Sequence, residues 1–361
     1  MTLSTPLLAA APLLAGLMGP ALVGAVPGPR QAERPVTTSV HTAGRTEIVE
    51  HVAARTTAEQ RRVLDYWTPR RMAEALPISL LDIVIGEKGL LSELTGRVGL
   101  RTVLDPAGVR TALPLAASKL PVPRHHAASA PKTSTIGSRW ATGGAVARTT
   151  GRVFMTVGGV DFVCSASTVK SANRDVVVTA GHCVKDGAGE WAANWTFVPG
   201  YGTRGEQPHG RYAARRMFVA GPWSRDANDD YDVGMVALAT SGGKHVADVV
   251  GTQEIAFNAP RGGQAFGFGY PADPPYNGDH LVYCRGRLTD DPHGETRDQG
   301  LGCDMTAGSS GGPWMTTFDA TTGKGTITSL SSFKYSDDPR TMYGPYLGDA
   351  AKTLFSTAER A

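Results

Sequence analysis

Charged residues are few in this 361-residue chain: Asp, Glu, Lys and Arg make up 19% of it, and the formal net charge is +3. Lys and Arg form no dense stripe, so the composition gives no electrostatic reason to expect a nucleic acid or an anionic membrane as a partner. Long apolar runs are missing after the N-terminal segment, so no later segment is predicted to span a membrane. The length allows two domains, or one large domain with an appendage.

The one long apolar run, residues 6–28, is interrupted by prolines and glycines and ends in small residues around Ala25. This pattern predicts a secretory signal peptide over residues 1–25, although no Lys or Arg precedes the run. The alternative is a membrane anchor, but prolines and glycines make a poor spanning helix. We therefore expect a secreted, extracellular protein with no membrane partner after the signal is removed.

Cysteine is scarce, and all four residues lie downstream of Trp140: Cys164, Cys183, Cys284 and Cys303. Four cysteines allow three pairings. Pairing in sequence order closes two short loops between predicted neighbouring strands. A disulfide that closes a loop of that size stabilises the fold by roughly 3 kcal/mol, because it constrains the unfolded chain. A zinc site is the alternative, but the chain has no CxxC pair. In an exported protein we expect two disulfides, no metal and no cofactor.

The chain divides into zones of different composition. Residues 26–139 begin with helix-compatible stretches such as residues 58–76 and end in an Ala-, Pro- and Ser-rich linker over residues 105–139. From Trp140 onward, short β-branched runs alternate with Gly, Asn and Asp turns, which predicts an all-β sandwich or barrel. The final stretch, residues 348–361, has the spacing of a helix and is expected to dock as a terminal helix.

The stretch MTAGSSGGPW, residues 305–314, places two serines in a run of glycines. It satisfies the G-x-S-x-G pattern of the α/β-hydrolase nucleophile elbow. That fold needs its catalytic histidine after the serine, whereas all nine histidines of this chain lie at or before His293. The order of residues therefore excludes the elbow.

A histidine and an aspartate upstream are better partners for these serines. The β-branched run VVVTAGHC ends with His182 and Cys183. Asp232 is the first residue of the apolar run DVGMVAL. A carboxylate entering such a strand is expensive to bury unless it is paired, and an imidazole N–H is a suitable partner. Three nearby carboxylates are rivals for this role: Asp226, Asp229 and Asp230. The order His182, Asp232, Ser310 is that of the chymotrypsin-type triad.

Residues 140–361 resemble the chymotrypsin-like serine peptidases, in particular their secreted bacterial trypsin-like and V8-like branches. TAGHC resembles the histidine block, DVGMVAL the aspartate block, and AGSSGGP stands where the family usually has G-D-S-G-G-P. FVCSAS also resembles the strand whose cysteine bonds to the one beside the catalytic histidine. The resemblance implies two six-stranded antiparallel β-barrels, with the site in the cleft between them and a C-terminal helix after them.

The resemblance also implies roles for individual residues. Ser310 would be the nucleophile, His182 the general base and acid, and Asp232 the group that orients the imidazole. The backbone N–H groups of Gly308 and Ser310 would form the oxyanion hole. Ser309 stands where animal members usually carry an aspartate that receives the freed N-terminal ammonium. That salt bridge cannot form here, so either maturation works differently or the loop is correctly formed without it.

Substrate specificity is left open by the sequence. Asp304 lies six residues before the nucleophile, where an acid would indicate a preference for Arg or Lys, but Cys303 lies seven residues before it instead of the usual four. V8-like members, which favour Glu, carry an Asp followed by Thr and Gly near this point, and DMTAG, with Thr306, looks similar. Asp304, Thr306 and, in the following strand, Ser329 are the predicted substrate-binding residues, and basic, acidic and apolar preferences all stay open.

The sequence thus predicts a secreted serine endopeptidase, expected to be monomeric and to take proteins or peptides as substrates. A catalytically silent binding module and an esterase on the same scaffold are the alternatives. Residues 26–139 are predicted to be a partly helical propeptide and linker, removed on maturation, ahead of a protease domain over residues 140–361. YWTPRRM, residues 66–72, resembles a segment upstream of the protease domain in bacterial relatives. The alternative is a permanent accessory domain.

Overall fold

The computed structural model describes residues 46–78 and 136–361, together with the backbone of residues 38–43. The predicted signal peptide and most of the predicted linker lie outside these residues. None of the described helices is both long and apolar enough to cross a membrane.

Strands dominate the described residues. The upstream region contributes β1 (Thr38–Ala43), β2 (Thr46–Val52) and β3 (Leu76–Pro77). The first half of the main body contributes β4 (Ser138–Arg139), β5 (Thr150–Val157), β6 (Val160–Thr168), β7 (Val176–Thr179), β8 (Ala193–Pro199), β9 (Tyr212–Ala220) and β10 (Gly234–Leu238). The second half contributes β11 (Glu254–Ile255), β12 (Gln264–Gly269), β13 (Val282–Arg287), β14 (Thr289–Asp290), β15 (Gln299–Gly302), β16 (Pro313–Asp319), β17 (Lys324–Leu330) and β18 (Thr341–Gly344).

The described helices are short, and most lie at junctions between strands. They are α1 (Thr57–Tyr66), α2 (Pro69–Glu74), α3 (Gly144–Thr149), α4 (Gly221–Asp226), α5 (Val246–Val250) and α6 (Asp349–Ala358). Two single 3₁₀ turns occupy Thr203–Gly205 and Asp229–Tyr231. The C-terminal helix α6 confirms the helical spacing seen in the sequence.

Six strands close into an antiparallel barrel in the first half of the main body. Their order around it is β5, β6, β7, β10, β9 and β8, and β8 pairs back onto β5. The β-branched run of β7 is buried at every position because both of its faces are covered, by the barrel interior on one side and by neighbouring segments on the other. The predicted all-β class and the first six-stranded barrel are confirmed.

The second half holds a six-stranded sheet and a smaller one. The larger sheet has the order β11, β17, β16, β12, β13 and β4, and a three-stranded sheet joins β14, β15 and β18. Leu301 and Trp314 are fully buried in a compact cluster between these sheets. The connection between the two halves places β7, β10 and the loop before β16 side by side, which is where the predicted site residues lie.

The upstream helices begin and end where the sequence provides signals. Thr56 and Glu59 form a reciprocal capping box at the start of α1. Thr68 caps α2 and Pro69 occupies its first turn; because the residue before a proline disfavours the α conformation, the helix breaks between Tyr66 and Pro69. The predicted helical character of this region is confirmed.

Residues 46–78 pack on the first barrel as part of its core. β2 extends the sheet by pairing with β9, and β3 runs parallel to β6. Trp67, which is 1% exposed, donates its indole N–H to the Asn194 carbonyl at 2.5 Å and packs on Phe154. The Arg211 guanidinium donates to the carbonyls of Leu64 at 3.1 Å and Trp67 at 2.7 Å. The segment therefore satisfies backbone groups and buries apolar surface that the barrel would otherwise expose.

Both disulfides form in the predicted pairing. Cys164 is bonded to Cys183 and Cys284 to Cys303, with a sequence separation of 19 in each case. The first disulfide ties β6 to the turn that follows β7, and the second ties β13 to the residue after β15.

Candidate active site

His182 is presented by a tight turn at the end of β7. The strand ends at Thr179, and the N–H groups of Cys183 and Val184 donate to the carbonyls of Ala180 and Gly181 at 3.2 and 2.9 Å. The disulfide of Cys183 fixes the other side of this turn. The His182 side chain is almost fully buried, so its orientation is set by the protein and not by solvent.

Asp232 holds His182 by two hydrogen bonds. The Nδ1 of His182 lies 2.8 Å from Asp232 Oδ2, and the backbone N–H of His182 donates to Asp232 Oδ1, also at 2.8 Å. Asp232 is fully buried at the end of a 3₁₀ turn, directly ahead of β10. Because a carboxylate only accepts, this contact places the imidazole proton on Nδ1 and leaves Nε2 with a lone pair.

The three rival carboxylates do not contact the imidazole. Asp226 is exposed, and Asp230 forms an ion pair with Arg297 at 2.8 Å. Asp229 is half-buried, and its buried Oδ1 has no hydrogen-bond partner among the described residues. Burial, reinforced by the charge of Asp232, raises the pKa of Asp229 to about 8. The Asp229 carboxyl therefore holds its proton more tightly than an exposed aspartate does.

Ser332 is a third partner of the aspartate that sequence reasoning missed. Its hydroxyl donates to Asp232 Oδ2, the same oxygen that faces the imidazole. Ser332 is fully buried, two residues after β17. A serine in the run SLSSF carries no local signal of this contact, because its partner lies 100 residues away in the chain.

Ser310 lies in a loop that is hydrogen-bonded to both halves of the molecule. Its carbonyl accepts from the N–H of Ser165 at 2.7 Å, and the next residue, Gly311, donates to the Ser331 carbonyl at 2.7 Å. The carbonyl of Ser310 is also 3.7 Å from the sulfur of Cys183, the neighbour of His182. The loop is thus held against the turn that carries the histidine.

The Ser310 hydroxyl and the His182 Nε2 are both buried, and neither makes a hydrogen bond to another described residue, including each other. An unpaired buried hydroxyl and an unpaired ring nitrogen are costly to maintain. Such pairs are tolerated at sites where the two atoms must remain available to a reacting molecule.

The backbone N–H groups of Gly308 and Ser310 are the other polar groups of this loop that bear on the site. Gly308 has φ of +91°, and a Cβ on it would lie 2.9 Å from the Tyr270 carbonyl, so only glycine fits. The Gly308 carbonyl is turned away, where it accepts from the Ser165 hydroxyl at 2.9 Å. In the part of the chain that the structure describes, neither Gly308 N–H nor Ser310 N–H donates to a protein group. Two free donors that flank a hydroxyl can stabilise an oxyanion.

One group of residues has the spacing of a metal site but not its chemistry. Side-chain atoms of Cys164, His182 and Cys183 lie within 4.8 Å of one another. The two sulfurs are bonded to each other as a disulfide, so no thiolate is available as a ligand.

The predicted substrate-binding residues make contacts of their own. The Asp304 carboxylate accepts from Gly137 N–H and the Tyr276 hydroxyl, while the Thr306 hydroxyl donates to the Asp273 carbonyl at 2.9 Å. The Ser329 hydroxyl, in β17, is buried and donates to the Pro345 carbonyl at 2.9 Å. Their assignment to substrate binding stays a prediction.

Lys334 is a buried cation near this loop that the sequence did not single out. Its ammonium donates to the carbonyls of Cys303 at 2.9 Å and Pro339 at 2.6 Å. Burial lowers the pKa of Lys334 to about 8, although the nearby Asp304 and Asp338 oppose that shift. The loop that precedes Ser310 is therefore bordered by the carboxylate of Asp304 and the amine of Lys334.

Comparison with solved structures places this site in a known fold. The protease Anisep from Arthrobacter nicotinovorans is 39% identical with a TM-score of 0.57, and the match covers 59% of this chain and 96% of that chain. AL20, a thermostable serine protease from an extremophilic microorganism, is 41% identical with a TM-score of 0.57, covering 60% and 99%. A Glu endopeptidase, 17% identical with a TM-score of 0.51, shares the fold.

A curated relative matches over a shorter stretch. An extracellular metalloprotease of Bacillus subtilis (strain 168) is 30% identical over 104 residues, which is 29% of this chain; this chain spans only 33% of that protein's length. The family model described as Trypsin matches residues 141–344, more than half of the chain. The chain therefore belongs to the trypsin family and is, by fold and family, a trypsin-like serine protease.

Proposed function

We propose that this protein is a secreted serine endopeptidase that cleaves peptide bonds through Ser310, His182 and Asp232. The observation that carries the proposal is the placement of His182. Its Nδ1 is held by a buried carboxylate, its Nε2 is buried without a hydrogen-bond partner, and the loop that carries the equally unpaired Ser310 hydroxyl packs against the neighbouring Cys183. Family membership makes a peptide the expected substrate.

In the proposed mechanism, the Ser310 oxygen attacks the substrate carbonyl while His182 Nε2 accepts the hydroxyl proton. Asp232 stabilises the imidazolium that forms, and the Ser332 hydroxyl keeps that carboxylate in place. The N–H groups of Gly308 and Ser310 receive the developing oxyanion. His182 then donates its proton to the leaving amine, and an acyl group remains on Ser310. A water molecule, activated by His182, releases the acid and regenerates the hydroxyl.

Export and processing belong to the same proposal. Two disulfides favour an oxidising compartment, in agreement with the signal peptide predicted from the sequence. Residues 26–139 are proposed to be a propeptide and linker that is removed on maturation, and the mature enzyme is proposed to be monomeric. The packing of residues 46–78 on the first barrel fits a segment that assists folding of that barrel before it is cut away.

The two alternative functions share the fold but differ in reactivity. A silent binding module would keep the cleft without turnover, and an esterase would act on activated esters but not on amides. The unpaired Ser310 hydroxyl and the free donors of the neighbouring loop favour a reactive site over a silent one.

A peptide-library cleavage profile separates these functions. We expect the matured wild-type protein to cut internal peptide bonds with a defined preference for the residue before the cut. Ser310→Ala should show no cleavage above background, because the nucleophile is missing. Ester hydrolysis without peptide cleavage would replace the endopeptidase by an esterase, and no turnover of either substrate would leave a binding module.

A further inference from the structure

A cavity of about 480 Å³ lies between the upstream helix α2 and the first barrel. Arg152 of β5 lines it, together with side chains from the segment after β8 and from the loop after β12. The opposite wall is apolar and is formed by residues of the upstream segment: Pro69, Met72, Ala73, Ala75 and Pro77. The space, which we name the Arg152 cavity, therefore has one polar side and one apolar side.

The Arg152 side chain is a buried cation in this cavity. The residue is 6% exposed, its Nε has no hydrogen-bond partner, and it forms no ion pair with a carboxylate of the described chain. Burial lowers the pKa of Arg152, while the nearby Tyr201 and Asp279 oppose that shift. A buried charge is costly unless it is paired, so an unpaired guanidinium that lines a cavity indicates an anionic ligand.

The guanidinium is held in place by its neighbours. Its carbon lies 5.1 Å from the centre of the Phe154 ring and 4.8 Å from the centre of the Tyr201 ring. Gly278 has φ of +76°, and a Cβ on it would lie 2.9 Å from the guanidinium carbon, so glycine is required there. The aromatic rings stabilise the charge but offer no acceptor in the plane of its N–H groups. A carboxylate, whose two oxygens match the planar fork of an arginine, does.

The charges around the Arg152 cavity narrow the class of anion. Arg152 and Arg204 contribute two positive charges and Asp279 contributes one negative charge, so one positive charge is left unmatched. A ligand with a single negative charge balances it, whereas Asp279 would repel a doubly charged phosphate more strongly. The amides of Gln207 and Asn277 also line the space and can bond to a polar group beside the carboxylate. The apolar wall is suited to an aliphatic chain.

The polar side of the cavity adjoins the loop that carries the nucleophile. Arg152 lies directly opposite Ser165 across β5 and β6, and the Ser165 hydroxyl donates to the Gly308 carbonyl at 2.9 Å. The N–H of Ala272, another lining residue, donates to the Ala307 carbonyl at 2.7 Å. A ligand in the cavity would therefore contact both the upstream segment and the residues that support this loop.

We propose that the Arg152 cavity binds a monocarboxylate with a short aliphatic chain, its carboxylate on the Arg152 guanidinium and its chain on the wall formed by residues 69–77. Two sources share this chemistry: the C-terminal carboxylate of a peptide and a free aliphatic acid. The site does not use the Ser310 hydroxyl, and the inference stands independently of the proposed peptidase function.

The first test is a calorimetric titration of full-length Ser310→Ala protein, in which the proposed self-cleavage cannot remove the upstream segment. The probes are N-acetyl-leucine, its neutral amide, and 4-methylpentanoate, which has the same carboxylate and chain without the acetamido group. We expect N-acetyl-leucine to bind at one site about tenfold more tightly than the amide, because only the acid accepts charge-assisted hydrogen bonds.

The third probe distinguishes the two sources. Equal affinity for 4-methylpentanoate and N-acetyl-leucine would identify a free aliphatic acid as sufficient, and much weaker binding of 4-methylpentanoate would identify a peptide C-terminus. Equal binding of N-acetyl-leucine and its amide, or binding of neither acid, would overturn the proposal.

The second test locates the site with variants in the Ser310→Ala protein. Arg152→Met should weaken the binding of N-acetyl-leucine by about tenfold or more, because the charged partner is lost. Ala73→Trp should have a similar effect by filling the cavity; Ala73 is exposed on α2, so this variant decides the matter if Arg152→Met does not fold. Arg70→Gln is the matched control, because it removes an exposed cation of the same helix that does not line the cavity.

Binding should be unchanged in Arg70→Gln. Unchanged binding in Ala73→Trp or in folded Arg152→Met would place the ligand elsewhere and overturn the proposal. An equal loss of binding in Arg70→Gln would also overturn it, since it would show attraction to surface charge and not to the cavity.

Discussion

Asp232→Asn should lower kcat/KM by about four orders of magnitude while the fold remains intact, a loss typical of serine proteases with this triad. The amide is nearly the same size as the carboxylate. However, its NH₂ group would face His182 Nδ1 and favour the tautomer with the proton on Nε2. That nitrogen could then no longer accept the Ser310 proton.

Asp230→Asn is the matched control, because it changes a neighbouring carboxylate that is paired with Arg297 and does not contact the imidazole. We expect a change of less than a few-fold, since exposed ion pairs contribute little. Steady-state kinetics on a peptide identified from the library, with circular dichroism to check the fold, measures both variants. A mild effect of Asp232→Asn would mean that another group orients His182.

Trp67→Ala should destabilise the full-length protein by about 3–5 kcal/mol, the usual range for truncating a buried tryptophan. The indole is buried against the first barrel, and its loss also removes the shorter of the two hydrogen bonds to the Asn194 carbonyl, leaving the one from the Thr196 hydroxyl at 3.3 Å. The variant is best made with Ser310→Ala, so that self-cleavage does not remove the segment during the measurement. For a protein of this size the melting temperature should fall by about 10 °C.

Arg61→Ala is the control for Trp67→Ala, because Arg61 is exposed on α1, the helix that ends just before Trp67. We expect its melting temperature to stay within about 2 °C of the parent. Equal melting temperatures for the two variants would show that residues 46–78 do not share the core of the first barrel, and their proposed part in folding would have to be dropped.

Short stretches of sequence were enough to predict much of the fold and of the candidate site. Each strand of the first barrel has β-branched residues bounded by turn signals, and the first disulfide was predicted from pairing in sequence order and from the resemblance of FVCSAS to a strand of the family. These features depend on neighbours along the chain, so they can be seen without a structure. The blocks around His182, Asp232 and Ser310 are likewise short and contiguous.

Contacts between distant segments could not be predicted in the same way. Ser332 reaches Asp232 across 100 residues, and Gly137 reaches Asp304 across 167. Nothing in the loop sequence reveals that the Asp304 carboxylate accepts from the Gly137 N–H and the Tyr276 hydroxyl. Trp67 stood in a stretch of helical spacing, but its burial depends on a barrel that forms more than 80 residues later.

The measurement that tests the central claim most directly is the site of fluorophosphonate labelling. The matured protein is treated with the probe, digested and mapped by mass spectrometry. We predict a label on Ser310 that is kept in Ser309→Ala, is lost in Ser310→Ala, and forms much more slowly in Asp232→Asn. A label on Ser309, or labelling that persists in Ser310→Ala, would contradict the assignment of Ser310 as the nucleophile.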